Sequence, residues 1–361
     1  MRLAVIGTGL IGGSIALGAR RAGELEVVGF DRDPASTERA TELGALDRAA
    51  STMQDAVQGA DMVVFSVPLD HFEAACRSVA DDVDGDAVVT DVGSAKSGPV
   101  AVGEGAFGPR FVGGHPMAGS ERHGIEAADA ALFGDAWWIL TPTAATSSDA
   151  YRRVSRLVTT LGAKPIALDP QVHDALVARL SHVPQLAASA LVDVAASAGD
   201  REALLGLAAS GFRDVTRIAA SNPDLWVAIL RSNREAVLDA LEGLRGALGT
   251  VADLISADRW QDLHDFLTRT RSARLDLFAK PEVGGEPIAI SMLVPDRPGV
   301  LAEVTTAAGH LGTNIEDLRI VHSTEGGRGR LELIVAGRAP AEKLATALHD
   351  LGYTVHFGAI D

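Results

Sequence analysis

Short apolar runs alternate with amphipathic stretches from the N-terminus to residue 168. Leu3–Ile6, Val27–Phe30, Met62–Val67, Ala87–Thr90, Arg110–Val112, Trp137–Leu140 and Pro165–Leu168 read as strands. Most are continuous rather than alternating, the pattern of strands covered on both faces. Between them Ile11–Ala22, Pro34–Leu43, His71–Ala80 and Ala150–Leu161 have helical spacing. This alternation predicts parallel βαβ units in a doubly wound α/β sheet.

The pattern changes at Asp169-Pro170. From Gln171 to Leu277 no convincing strand occurs, and Val172–Ala198, Glu202–Ala209, Leu225–Leu248 and Trp260–Phe278 read as helices. Asn222-Pro223-Asp224 is a good helix entry, with Asn222 as N-cap and Pro223 at the first helical position. Pro184 falls inside a helix-like run, where an ordinary helix loses ~3 kcal/mol, so a kink lining a pocket is expected. The helices are rich in apolar residues for elements facing water, and some faces are expected to be buried in a second subunit. Ala279–Pro287 is a linker by composition. After it Ile288–Val294, Val300–Leu311, Ile315–His322, Arg330–Val335, Ala341–Leu351 and Thr354–Phe357 spell a small βαββαβ domain. The expected domains are 1–168, 169–280 and 287–361.

Composition narrows the function. The 361 residues are 47% hydrophobic and 22% charged, enough to build full cores. Lys and Arg total 32 against 48 Asp and Glu, a net charge of -16. No nucleic acid and no anionic membrane is expected as partner, since both are bound by surplus positive charge. An anionic ligand would need local cations or a helix N-terminus. One cysteine, Cys76, excludes an intrachain disulfide framework and fits a reducing, cytoplasmic setting. The opening MRLAVIGTGLIGG lacks the features of a signal peptide, and no run of ~18 apolar residues predicts a membrane span. The ten histidines show no metal-ligand spacing.

Gly7-Thr8-Gly9-Leu10-Ile11-Gly12 follows a strand and opens a helix, the context in which GxGxxG holds a dinucleotide. Gly7 permits the tight turn, Gly9 lets a pyrophosphate approach, and Gly12 lets helix and strand pack, with Leu10 and Ile11 at the helix start. Asp31 ends the second strand, about 20 residues past the loop, where a ribose-binding acid belongs. The plain alternative is a packing turn with a surface Asp. An acid here repels a 2′-phosphate, which favours NAD over NADP. Arg32 can stack on adenine or hold a 2′-phosphate. Ser66-Val67-Pro68 closes a central strand at the edge where ligands collect. Gly93–Gly98 lacks the spacing of a nucleotide-triphosphate loop.

His115 sits between glycines and Pro116 after a strand, on a loop suited to close approach. It is the candidate base, and Ser94 beyond the preceding strand can fix its tautomer or meet a substrate hydroxyl. Ser94 can equally cap a helix from Ala95. Lys96 adds local positive potential, while Arg122 and His123 read as solvated loop residues. His182 and Gln185 flank the Pro184 kink. Arg213 and Arg217 share one face if their segment is helical.

These motifs, GTGLIGGS, DVGSAK, GGHPMAGSE, LSHVPQ and GFRDVTRIA in that order, resemble the prephenate/arogenate dehydrogenase family over residues 1–280. The resemblance implies a Rossmann-type sheet, an all-helical dimerisation domain, a homodimer and NAD as cofactor, NADP being the alternative. It implies His115 as catalytic histidine, Ser94 as the orienting serine and Arg217 as a carboxylate-binding arginine. Ser120 and Glu121 match pocket-entrance residues, Asp214 an acid that organises the arginine, and Gln185 a position where some relatives carry histidine. Arg213 and His182 stand beside these positions. The implied substrate is prephenate, with arogenate the runner-up. A β-hydroxyacid dehydrogenase would need a lysine in the helical half, and Gln171–Leu277 has none. A non-catalytic dinucleotide sensor is the alternative from another class. The segment Ile288–Phe357 resembles an ACT domain through VPDRPGVLAEV and LGTNIEDLRI. That likeness makes Asp296, Gly299, Val300 and Asn314 candidate regulatory positions and tyrosine the expected effector, against a purely structural module.

Overall fold

The computed structural model describes residues 1–23, 25–119, 122–197, 209–277, 287–295, 300–313, 315–322 and 328–359. By its own contacts the chain divides into two compact units, Met1–Ala252 and Asp253–Asp361.

The first unit begins with β1 (Arg2–Ile6), α1 (Leu10–Ala22), β2 (Glu26–Phe30), α2 (Pro34–Glu42), β3 (Arg48–Ala49) and α3 (Met53–Val57). It continues through β4 (Met62–Phe65), α4 (Leu69–Val79), β5 (Val88–Asp91), α5 (Ser97–Phe107), β6 (Phe111–Pro116), β7 (Trp137–Thr141), α6 (Ser148–Thr160) and β8 (Lys164–Ala167). The eight strands lie in the order β3-β2-β1-β4-β5-β6-β7-β8. Consecutive residues of each central strand feed opposite cores. Leu3, Val5, Met62 and Val64 pack with Ile15 and Val154 on one face, while Ala4, Ile6, Val63 and Phe65 pack with Phe72 and Phe107 on the other. Both faces being covered is why these strands read as unbroken apolar runs.

Two departures from the sequence pattern concern topology. β3 is only two residues long, too short to leave a hydrophobic signature. β7 runs antiparallel to β6, so the doubly wound sheet is mixed rather than wholly parallel. No α-helix crosses over between these strands among the described residues; only the short 3₁₀ turn Ile125–Ala127 lies there. Without a crossover the chain returns in the opposite direction.

Asp169 caps α7 (Pro170–Val177), its carboxylate accepting from Gln171 N at 2.8 Å. A π-helical turn, Ala178–His182, then leads into α8 (Val183–Ala196). Pro184 lies within the continuous helical run Pro170–Ala196, just after the π turn, where its missing N–H interrupts the ladder. The expected irregularity is therefore a π turn, a device common at functional sites. α9 (Ser210–Thr216), a 3₁₀ turn at Arg217–Ala220, α10 (Pro223–Ser232) and α11 (Arg234–Ser256) follow. Asn222 caps α10 as its sequence indicates. The expected helix Glu202–Ala209 lies, but for its last residue, outside the described residues. The stretch Pro170–Ala196 is long and apolar enough to cross a membrane by composition alone. It buries His173, Asp174 and His182, and their polar contacts tie it into this unit. Val194, Val215 and Val227 stand well exposed on α8, α9 and α10, as expected of faces awaiting cover.

The second unit holds α12 (Trp260–Leu277), β9 (Pro287–Pro295), α13 (Val300–His310), β10 (Ile315–His322), β11 (Arg328–Ala336), α14 (Arg338–Asp350) and β12 (Val355–Ala359). The sheet is antiparallel, in the order β10-β11-β9-β12. Along β9, Ile290, Met292 and Val294 point into a core with Val304 and Leu344, while Leu293 faces outward. This is the period-two alternation of a sheet covered on one side.

Candidate active site

β1 delivers the chain into a turn that only glycine can make. Gly7 has φ +95°, and a Cβ there would stand 2.2 Å from the Ser66 carbonyl oxygen. A Cβ on Gly12 would stand 1.9 Å from the Gly7 oxygen, whereas one on Gly9 would meet nothing within 4 Å. Gly7 and Gly12 therefore close the turn, and Gly9 leaves its outer side open for a ligand. The carboxylate of Asp31 secures the turn, accepting from Thr8 N at 2.8 Å and Asp33 N at 3.0 Å. A cavity of about 870 Å³ opens above this turn. Gly7, Gly9, Leu10 and Ile11 line it, with Asp31, Arg32, Ser66, Pro68, Ser94 and His115. Gly12 is buried beneath it. Arg32 donates to His71 Nε2 at 3.2 Å on the exposed rim. The cradle, the open face of Gly9 and the carboxylate at the strand end fit a dinucleotide.

His115, next to last in β6, is half-buried in the cavity wall. Its Nδ1 lies 2.8 Å from His173 Nε2. His173 Nδ1 lies 2.8 Å from Asp174 Oδ1. Asp174 also accepts from Lys96 N at 2.7 Å and Ser97 N at 2.8 Å. Burial pushes the Asp174 carboxyl upward, but the hydrogen bonds from His173, Ser97 and Lys96 outweigh it and hold the group below the usual carboxylate range. An anionic Asp174 can only accept, so His173 donates from Nδ1, and in the neutral ring its Nε2 is the acceptor. His115 then donates from Nδ1, which leaves the lone pair on Nε2, the nitrogen available to the cavity. Burial, helped by the surrounding His173, Lys96 and His182, pushes the His115 imidazolium well below its ordinary range. The ring is held neutral and oriented, the state a proton acceptor needs.

Ser94 lines the cavity. It caps no helix: α5 starts at Ser97, and the Asp174 carboxylate caps it from across the fold. His182 and Gln185 are buried but do not line the cavity. His182 Nδ1 accepts from Asn233 Nδ2 at 3.3 Å, and burial lowers the ring to about 4. Gln185 Oε1 has no partner among the described residues. Arg213, Asp214 and Arg217 are exposed and outside the cavity. Arg217 begins the 3₁₀ turn after α9, so the two arginines do not share one regular helix. Ser120 and Glu121 lie outside the described residues, as do Asp296, Gly299 and Asn314. Val300 is buried at the start of α13. Arg122 and His123 are not merely solvated, for both line the cavity. Asp91, His173, Asp174 and Asn233 escaped the sequence reading. Each is an ordinary polar residue in its own segment, and only contacts across the fold single it out.

A doubly wound sheet with a glycine cradle at its carboxyl edge, facing an oriented neutral histidine, defines a nicotinamide-dinucleotide dehydrogenase. Residues 15–167 match the model of the prephenate dehydrogenase nucleotide-binding domain, residues 169–269 the prephenate dehydrogenase dimerization domain, and residues 288–353 the ACT domain. Prephenate dehydrogenase of Bacillus subtilis is 30% identical over 91% of this chain and 90% of its own length. The crystal structure of Aquifex aeolicus prephenate dehydrogenase, in complex with hydroxyphenyl propionate and NAD+, superposes with a TM-score of 0.73 at 33% identity. That match covers 77% of this chain and 98% of the other. Synechocystis arogenate dehydrogenase gives 0.70 at 31% identity, over 77% and 100%. The chain belongs to the prephenate dehydrogenase family.

Proposed function

We propose that this protein catalyses the NAD-dependent oxidative decarboxylation of prephenate to 4-hydroxyphenylpyruvate, in tyrosine biosynthesis. The observation that carries the reading is His115, kept neutral by burial and aimed through His173 and Asp174 at the dinucleotide cavity. NAD, when bound, supplies the hydride acceptor. The glycine turn would seat its pyrophosphate, and Asp31 would take the ribose hydroxyls and disfavour a 2′-phosphate. His115 Nε2 accepts the proton of the ring hydroxyl as the carbinol carbon gives up its hydride. The C–C bond to the ring carboxylate then breaks, carbon dioxide leaves, and its electron pair aromatises the ring. His115 returns its proton to the phenolate oxygen. Ser94 orients the hydroxyl and the imidazole beside it.

Arg217 is our candidate for a substrate carboxylate, with Arg213, Asp214, Gln185, His182, Ser120 and Glu121 around it. That assignment rests on the family resemblance, for the cavity within one chain does not include Arg217. The exposed apolar helices support a homodimer, and we place the enzyme in the cytoplasm with domains at 1–168, 169–280 and 287–361. The ACT domain is proposed to bind tyrosine through Asp296, Gly299, Val300 and Asn314. Added tyrosine should lower the rate or raise the melting temperature, and no effect on either would leave the domain purely structural.

Arogenate is the second reading, favoured by the likeness to Synechocystis arogenate dehydrogenase. Gln185, neutral where an acid would attract the arogenate amine, leans toward prephenate. Initial rates with each substrate, paired with NAD and with NADP, test the proposal. Prephenate with NAD should be fastest. Turnover of arogenate alone would select the second reading, and turnover of neither would overturn both.

A further inference from the structure

Lys96 is fully buried, a costly place for an ammonium group unless it is paired and hydrogen-bonded. Its Nζ contacts Asp91 Oδ2 and donates to the Gly114 carbonyl at 2.7 Å. Asp91 in turn accepts from Gly114 N at 3.1 Å and Gly93 N at 2.8 Å. The ion pair therefore holds both polar groups of Gly114, the residue before His115. The backbone N–H of Lys96 meanwhile donates to Asp174, at the far end of the chain of contacts that begins at His115 Nδ1. One residue thus closes a ring. Its side chain fixes the backbone leading into His115, and its main chain anchors the carboxylate that orients the imidazole.

We propose that Lys96, paired with Asp91, is a positioning residue for the reaction, setting the place and direction of the His115 imidazole without touching substrate. A well-packed apolar pair of similar volume is often no less stable than a buried ion pair, so a charge at this depth calls for a role. Gly114 also has no slack of its own to exploit. A Cβ there would stand 2.7 Å from the Asp91 carbonyl oxygen and 3.0 Å from Trp138 Nε1, so the strand is pressed against the clamp. The charged and titratable groups around His115 are His173 and Asp174 on α7, His182 on the π turn, Lys96 before α5 and Asp91 on β5. Of these, Lys96 is a cation that opposes protonation of His115, while Asp174 favours it. The clamp therefore aims the ring and helps keep it neutral.

The inference rests on His115 being the base, and the two can fail separately. The test compares Lys96→Met and the neutral pair Lys96→Met/Asp91→Asn with the full-length enzyme and with His115→Asn. The neutral pair keeps the volume and an acceptor for Gly114 N–H, so it should fold. It should bind NAD with unchanged Kd but turn over about 10²-fold more slowly, the scale of a small misplacement in the active site. The acid limb of the Lys96→Met kcat/KM profile should move to higher pH, because the cation opposing the imidazolium is gone while the Asp91 carboxylate stays. A merely structural lysine would leave that limb in place. A folded neutral pair with wild-type kcat, together with an unmoved acid limb in Lys96→Met, would overturn the inference while leaving the base assignment standing. Failure of the neutral pair to fold would also overturn it, by making the pair a requirement of the fold. Normal turnover by His115→Asn would instead remove the base assignment on which the inference is built.

Discussion

The two walls of the cavity are built by opposite means. The cofactor wall is backbone: Gly7, Gly9 and Gly12 act by what they lack, and their contacts lie within one turn and the neighbouring Ser66. The wall behind His115 is side chain: Asp91, Lys96, His173 and Asp174 are all buried, and they meet from segments far apart in the chain. Shape suffices to seat a ligand whose phosphates are satisfied by N–H groups and a helix dipole. Moving a proton requires a group with a set charge and tautomer, and that takes buried polar groups which are expensive unless every one is bonded. The contrast predicts different failures. Damage to the first wall should show in cofactor binding, and damage to the second in turnover.

The largest effect is expected at the base. His115→Asn should cost about 10²–10⁴-fold in kcat while NAD still binds, as read by NADH formation and by cofactor titration. The cradle comes next. Gly12→Ala has no room, so it should weaken NAD binding strongly or destabilise the fold, whereas Gly9→Ala should fold normally. Equal melting temperatures for the two would break the account of the turn. Asp174→Ala should lower kcat with little change in KM for NAD. It should also lose about 1 kcal/mol of unfolding free energy, because the same carboxylate caps α5. The smallest effect on turnover is expected at His182, whose role shows in acid stability instead. His182 in the folded protein protonates only near pH 4, and an unfolded histidine near 6.5. Because the unfolded chain binds the proton first, stability is intact above about 6.5 and falls as pH drops toward 4. His182→Gln should flatten that fall in pH-dependent unfolding curves.

The same contrast explains what could be read from the chain. The strand–helix alternation, the glycine turn, Asp31 and the capped entry at Asn222 are local patterns, and each appears where its neighbours in sequence place it. His115 and Ser94 stood out because their loops follow strands of a sheet whose carboxyl edge collects ligands. The antiparallel turn of β7 was hidden because direction is set by the connection, and the segment before it carries no strong pattern. His173 and Asp174 look like any polar pair at a helix start until the fold brings them under β6. Lys96 reads in the sequence only as local positive potential, and its burial follows only from Asp91 and Gly114 meeting it across two strands. Arg122 and His123 were read as solvated because a loop's course over a cavity leaves no mark on its residues.

The central claim is that His115 waits in the free enzyme as a neutral, oriented acceptor. The pH dependence of kcat/KM for prephenate, at saturating NAD, tests it most directly. The account requires the rate to stay flat as pH falls past the ordinary imidazole value of 6.5, and to drop only well below it. A limb centred at or above 6.5 would show an imidazole that the buried network does not control, and would contradict the claim.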